Sequence, residues 1–600
     1  MNRFTKAIVR ASQRIFEAVE RFPLTVICLV CTSILICYMI SLHKEPDLIT
    51  QKLMFTFLLG SFLGVAAQFT CERFDRLLKM RIAVYGVSAL ITVGYYLIIL
   101  AAPSISFEVV TRTFVAVFAM FCAFLWVPSY QSKSDFNGIA LTHFKSAFTS
   151  VLFSGVLSGG CASIIAAIDI LLFKVNSDSY GYMMTIIWVL FATLYYLSLL
   201  PRYNSEYETE REYAQSSALY PRFLEILISY IAIPLVATYT LVLAAYFIKI
   251  LVTFKWPSGQ LGVMVLAYSA AGLTIYVLSS RLENHFAKLY RLIFPKVLIP
   301  VVIMQLISVA IRLNAYGITE SRYYVTLFGV FSLVCGVALS FKPVSKNGII
   351  ALLAAGFAIF SVIPPVDAFT VSRVSQITRL ESMLKTEGIL ADGIISPKAE
   401  VPMNLRLEST SILAYLDNRS YIKYIKWLPG DFKFNNDKMK STLGFEPAYG
   451  GVRGDSNYFF ANIDMQKPLN ISGYDILINT NSNRGMDKSN QPSLDFEVSS
   501  VKYKLSFERL SPQEVLVSVK NTDGVELVGT GLYDFTKTLS GIGNNPKEAL
   551  APEKMTIDVE KDGYKLRIML QNVNVTYGTD SDSGVDYSIF VMFGAPASAK

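Results

Sequence analysis

The residues best suited to bind metals or act as nucleophiles are three histidines (His43, His143, His285) and seven cysteines (Cys28, Cys31, Cys37, Cys71, Cys122, Cys161, Cys335), all before residue 336. Beyond that point a Ser-His-Asp triad, a Cys-His pair and a soft-metal site each lack an ingredient. The chain contains neither a Walker-type phosphate loop nor an HExxH helix. Cys28 and Cys31 have CxxC spacing but lie inside an apolar run, where thiols serve as small hydrophobes. Asp580, Asp582 and Asp586 around Gly584 faintly resemble a calcium loop, yet its twelfth position would be Val591 rather than a chelating Glu, so the segment reads as a hairpin tip. Arg453, Gly454 and Asp455 follow Gly450 and Gly451 and read as a surface turn. Sequons at Asn418, Asn470 and Asn574 matter only in a eukaryotic secretory pathway. No catalytic residue, metal ligand or cofactor is nominated.

The elements available to position any site belong to two solvents. The chain of 600 residues is 53% hydrophobic and 17% charged, with a mean hydropathy of +0.43, unlike a water-soluble chain. Residues 1–364 carry 28 Lys and Arg against 17 Asp and Glu, whereas 365–600 carry 26 against 29. The excess of +8 therefore belongs to the oily part, where basic residues set orientation and meet anionic lipid; this excludes a nucleic-acid partner. An apolar run from Leu24 to Leu42, and further runs beginning near Leu53, Ile82, Thr113, Ala147, Met183, Phe223, Gly259, Val297, Tyr323 and Gly348, predict about eleven spans. Residues 1–22 form a basic interfacial helix, and 23–364 the bundle. The segments 1–22, 72–81, 131–146, 201–222, 279–296 and 340–347 hold 20 Lys and Arg against 7 in the alternate segments. That imbalance predicts a cytoplasmic N-terminus, and an odd number of spans then leaves 365–600 outside the cytoplasm. The Gly60-x-x-x-Gly64 and Gly155-x-x-x-Gly159 notches read as internal helix contacts, and Pro234 predicts a kink. Two charges sit well inside apolar runs, Asp169 and Lys249, and are the intramembrane polar candidates.

One polar string between the ninth and tenth spans stands apart: Arg312, Tyr316, Gly317, Thr319, Glu320 and Arg322. Gly317 suits a left-handed helix end, Thr319 a cap for the next helix, and Glu320 the positive end of its dipole. The string resembles the R-x-x-x-Y-G-[ILV]-T-x-x-R hallmark of the bacterial integral-membrane family catalogued as domain of unknown function 4153. A second stretch, with Asp367, Ser372, Ser375, Gln376 and Arg379, resembles that family's S-x-x-S-Q-x-x-R-[LF] pattern after the last span. Pro234, Tyr239 and Tyr246, and Ser472 to Asp475, add to the likeness, which is closest over 220–480. The resemblance implies a bacterial cytoplasmic membrane and a multi-span bundle. It supplies no activity, substrate or catalytic residue.

Residues 365–395 are expected to form an amphipathic juxtamembrane linker, with Ile377, Leu380, Leu384 and Ile389 along the membrane surface. From 396 to 600 short period-two runs bounded by turn residues predict an all-β or mainly β domain, a sandwich or open barrel, whose core needs no disulfides. Three functions compete. The first is a non-enzymatic envelope anchor or sensor, whose β domain binds an envelope polymer or another envelope protein, with Arg312 and Arg322 docking against Asp367, Glu381 or the β domain itself. The second is a transporter or lipid-handling protein with a cavity reaching Asp169 or Lys249. The third is a membrane enzyme acting on lipid-linked substrates around Glu320, Arg322 and Asp367. The bilayer is a partner in all three, and the sequence leaves the oligomeric state open.

Overall fold

The computed structural model describes residues 3–132, 134–254, 260–448, 457–483, 493–511, 514–540, 549–577 and 584–596. The chain folds as two compact units, Met1–Pro447 and Ala448–Lys600.

The first unit is helical. A lead-in helix α1 (Arg3–Arg21) precedes α2 (Pro23–Leu42), α3 (Leu48–Arg73), α4 (Arg81–Leu100), α5 (Phe107–Trp126), α6 (Phe136–Leu171) and α7 (Asp178–Ser198). After α8 (Glu208–Ser217) come α9 (222–253), α10 (Gln260–Leu278), α11 (His285–Tyr316), α12 (Glu320–Phe341) and the shorter α13 (Gly348–Phe360). Among the described residues ten helices are long and apolar enough to cross a membrane, and Val344–Phe360 is a shorter apolar helix. The outer faces carry side chains such as Ile82 and Phe341, 90% and 85% exposed, which water would not tolerate in such numbers but hydrocarbon does. This is a multi-pass membrane protein.

Proline and glycine shape the bundle. Pro234 offers no N–H and crowds the carbonyl four residues back, and the helix opens into a wide π-turn over Leu227–Ala232 just before it. Pro295 and Pro300 are accommodated within an unbroken α11. Gly64 lets α3 approach α2 so closely that a Cβ there would lie 2.5 Å from Thr25 Oγ1, and one on Gly60 would meet Cys28 and Thr92 at 2.8 Å. The second notch differs from expectation. Gly155 and Gly159 face outward on α6 with nothing within 4 Å, because the buried stripe of that helix is Ser150, Ser154 and Ser158.

Contacts order the helix ends. Arg21 pairs with Glu72 and donates to Leu200 O, while Arg73 donates to the carbonyls of Tyr130 and Gln131. Lys145 donates to Ser217 O, and Arg281 to Ala218 O. Asn347 donates to Asn137 and Ser280, and a Cβ on Gly348 would lie 3.3 Å from Trp126. The six lysine- and arginine-rich segments thus gather at one end of the bundle. Helix α13 starts there and ends at the other, where Tyr323 donates to Val366 O at 2.7 Å and Asp367 lies 3.8 Å from Arg112. It is shorter than the ten candidate spans.

After the bundle the chain forms a helical collar: α14 (Ala368–Thr386), α15 (Met403–Asn418) and α16 (Asn436–Leu443), with a two-residue hairpin turned at Asp392 and Gly393. Leu380, Leu384 and Ile389 are buried with Leu405, Ile412, Leu413, Leu416 and Leu443, so the apolar stripe of α14 meets protein rather than a membrane surface. Residues 396–447, expected to open the β-rich domain, are mostly helix and turn; the 3.6-residue spacing of Leu405, Ser409, Ile412 and Leu416 is a helix period.

The second unit is β-rich. Strands β1 (Asn457–Asn462), β2 (Ile476–Ser482), β7 (Thr556–Lys561), β8 (Tyr564–Tyr577) and β9 (Gly584–Gly594) form one antiparallel sheet in the order β1-β8-β9-β2, with β7 also on β8. Strands β3 (Ser493–Val498), β4 (Val501–Arg509), β5 (Val515–Asn521) and β6 (Glu526–Gly531) form an antiparallel meander. Alternate residues of the meander point inward, so Leu505, Phe507, Val517 and Val519 share one core with Leu566, Ile568, Ile589 and Val591 from the other sheet. The segment from Leu494 to Phe507 is a hairpin whose turn places Ser499 and Ser500 in the left-handed region, at φ 49° and 70°. Past Leu570 a bulge resets the inward phase to Val573 and Val575, so β8 runs on to Tyr577. Asp586 pairs in register with Asn574, whereas Asp580, Asp582 and Arg453 to Asp455 lie outside the described residues.

Candidate functional site

The polar string of 312–323 forms the turn between α11 and α12, and helices α14 and α15 close over it. Gly317 ends α11 at φ 68° and ψ −179°, a conformation open essentially to glycine, and its N–H closes onto Leu313 O. A Cβ there would stand 2.8 Å from Gln376 Nε2. The turn's carbonyls point at donors. Arg322 Nη1 donates to Tyr316 O at 3.0 Å and Gly317 O at 2.8 Å. Gln376 Nε2 donates to Tyr316 O at 3.0 Å and Ile318 O at 2.9 Å, and Ile318 N–H donates to Ser375 Oγ at 2.9 Å. Arg379 reaches Tyr316 O at 3.4 Å and pairs with Glu408 on α15. Ser372, Gln376 and Leu380 recur every fourth residue and are buried, so the S-x-x-S-Q-x-x-R spacing is the helix face that grips the turn.

Glu320, 2% exposed, is the buried charge of this joint. Tyr415 OH donates to its Oε2 at 2.6 Å and Tyr421 OH to its Oε1 at 3.0 Å, with Arg419 Nε 3.7 Å away. Burial, reinforced by this carboxylate, pushes both phenols above their ordinary pKa. Both oxygens are thus satisfied, which is how a buried carboxylate becomes a structural bond rather than a reactive group. Thr319 occupies the cap position of α12 without a side-chain bond to the backbone; its hydroxyl lies 3.4 Å from Ser321 Oγ.

The expected docking of Arg322 on Asp367 or Glu381 does not occur. Arg322 is taken by carbonyls, because its side chain folds back along its own turn. Asp367 is fully buried and caps α14 through Phe369 N and Thr370 N at 3.0 Å, with Arg112 beyond it. Glu381 accepts from Trp427 Nε1 at 2.9 Å. Arg312 is half-buried beside the turn, and its charge lies close enough to act on Arg322. Glu320, Arg322 and Asp367 therefore do not converge on a common reacting point, and among the described residues no three His, Cys, Asp or Glu side chains gather to hold a metal ion. Sequence reasoning missed Glu408, Tyr415, Arg419 and Tyr421, which lie 95 and 101 residues from Glu320 in the case of the two tyrosines and leave no local signal.

The intramembrane candidates lie apart. Asp169 accepts from Val175 N at 2.8 Å and faces Lys174 at 3.4 Å, closing the end of α6. Lys249 is exposed on the outer face of α9. A cavity of about 970 Å³ does lie in the bundle, lined by α2, α3, α5, α6, α7, α10, α12 and α13, but neither residue lines it. A second joint at the lysine- and arginine-rich end was also missed. Arg21, 8% exposed, forks onto Glu72 at 2.7 and 2.8 Å and donates to the carbonyls of Leu200 and Pro201, while Arg81 donates to Arg21 O.

Comparison with known proteins bears on the first unit. The family model described as Domain of unknown function (DUF4153) matches residues 30–393. It extends further towards the N-terminus than the motif likeness over 220–480 and stops before Ser472 to Asp475. A protein of Pasteurella multocida (strain Pm70), described as uncharacterized protein PM1469, is 23% identical over 224 residues, which is 36% of this chain and 37% of that one. The chain thus matches little more than a third of that relative's length. No solved structure matches.

Proposed function

We propose that this chain, which belongs to the DUF4153 family, is a non-enzymatic envelope protein of the bacterial cytoplasmic membrane that presents its β-rich unit outside the cytoplasm. The observation that carries this reading is the joint at 312–323. A turn between two membrane helices is held by eight hydrogen bonds from the collar and its own arginine, so the last spans and the segment that leads to the second unit move as one body. An anchor needs such a rigid exit, and a sensor needs it to pass a displacement on. The positive-inside rule supports a cytoplasmic N-terminus, and counting α13 as an eleventh crossing supports a collar on the opposite side. The β-rich unit then binds an envelope polymer or another envelope protein.

Photo-crosslinkers placed at exposed strand positions, such as Leu477 and Leu494, test the binding in living cells. The expected result is an adduct with isolated cell-wall polymer or with an envelope protein, dependent on the strand position. Adducts formed only with cytosolic proteins would overturn the reading.

A further inference from the structure

The two sheets of the β-rich unit turn unlike faces to solvent. Outside the meander the face is charged, with Asp495 and Glu497 on β3 opposite Lys504 and Lys502 on β4, as on most solvated strand pairs. The other sheet carries amides. Ala461, Ile478, Val573, Val575 and Ile589 point into the core, so strand alternation sends Asn462, Asn479, Asn481, Asn572 and Asn574 outward, with Ser588 among them. Register places Asn462, Asn572, Ser588 and Asn481 in one row across four strands, about 14 Å long at the usual strand spacing. Between the rows of Phe460 and Phe590, Asp586 is the one charge among the described residues.

Asparagine is a poor strand former, because its short side chain competes for backbone hydrogen bonds. Five of them on one face weaken the sheet and fill no core, which marks a surface kept for contact rather than for folding. Gln571, at the bulge, donates to Asn479 Oδ1. Asn462, Asn481, Asn572, Asn574 and Ser588 make no side-chain hydrogen bond to a described residue, and all five are exposed or half-exposed, so a ligand can reach them. Charge and hydrogen bonding then select the occupant. Each amide sets donors beside an acceptor, which complements a polymer whose hydroxyl or acetamido groups also donate and accept. Phe460, 41% exposed two residues from Asn462, offers its ring to the apolar C–H face of a sugar. A polyanion would find no Lys or Arg on these rows and would meet Asp586. A protein partner calls for aromatic or Arg anchors seated in pockets, whereas this face offers amides.

We propose that the outward face of β1, β8, β9 and β2 binds an uncharged glycan chain. This rests on the reading that the β-rich unit meets an envelope polymer, and it names the polymer's chemistry and the face that takes it. The test titrates the full chain in phosphatidylcholine nanodiscs with three uncharged hexasaccharides (chitohexaose, cellohexaose and maltohexaose) and with anionic hexagalacturonate, by calorimetry. At least one uncharged chain is expected to bind about tenfold or more tightly than hexagalacturonate. Asn481→Thr with Asn572→Thr removes two amides in favour of a better strand former, so binding should weaken about tenfold while the thermal midpoint stays equal or rises. Lys504→Thr on the meander should change neither. No binding of any uncharged hexasaccharide, binding of hexagalacturonate as tight as theirs, or binding unmoved by the double variant would each overturn the proposal, and the first two comparisons need no variant. If the titrations fail while Leu477 still crosslinks to an envelope protein, the glycan assignment falls and the anchor reading stands. Adducts formed only with cytosolic proteins would bring down the anchor reading, whatever the titrations show.

Discussion

Replacing Tyr421 by Phe removes one of the two phenols that hold the Glu320 carboxylate and leaves the ring in place. Glu320 is 2% exposed and Tyr421 4% exposed, so water does not replace the lost donor. A hydrogen bond to a buried charge contributes about 1.5–3 kcal/mol. The loss falls on the contact between α12 and the collar, so local opening of the collar should become about 2 kcal/mol easier, which is roughly a 30-fold loss of amide protection. Hydrogen exchange read by mass spectrometry over 403–424 measures this in the purified full chain. A double-mutant cycle sharpens it. In a Glu320→Gln background the same Tyr421→Phe change removes only a neutral bond, about 0.5–1.5 kcal/mol, so the two substitutions should couple by about 1 kcal/mol. Strict additivity, or protection over 403–424 unchanged in Tyr421→Phe, would refute the view that Glu320 ties the bundle to the collar.

Further outcomes follow from the same geometry. Gly317→Ala forces a Cβ into a glycine-only conformation and against Gln376, and should cost about 1–3 kcal/mol, seen as lost exchange protection across 374–386. Arg21→Ala leaves the half-buried Glu72 carboxylate with Gln68 as its remaining donor and should lower stability by about 1–3 kcal/mol, with Arg21→Lys recovering only part because a single ammonium cannot fork; thermal unfolding in detergent reads both. Tyr415 and Tyr421 have folded pKa values raised by burial and by Glu320, so their neutral forms contribute stability in full below the unfolded value of about 10, and that contribution is lost as pH rises towards the folded values. Absorbance at alkaline pH should show these two phenols ionising only as the collar's helicity is lost, a step absent from the Tyr415→Phe, Tyr421→Phe double variant.

The parts of this fold written locally could be read from the sequence, and the parts made by distant partners could not. Eleven apolar runs, the turn at Gly317 and most strands follow from hydropathy, glycine chemistry and period-two spacing. The collar's stripe was legible as a helix but not its destination, since Leu380 and Leu384 would suit a lipid surface as well as the face of α15. Ser499 and Ser500 hid a hairpin because neither residue announces a left-handed turn. For the joint, the motif displayed Arg322, Gln376 and Arg379 but could not say that they bind backbone carbonyls. The carboxylate's own partners, Tyr415 and Tyr421, arrive from a helix and a turn about a hundred residues away.

Whether the chain crosses the membrane an odd number of times, with α13 as the last crossing, decides on which side the β-rich unit lies. Reporter fusions at Lys600 test this most directly: alkaline phosphatase, active only outside the cytoplasm, compared with a fluorescent protein that matures only inside it. We predict phosphatase activity and no fluorescence at Lys600. A fluorescent, phosphatase-silent fusion there would place the β-rich unit in the cytoplasm and contradict the proposed topology.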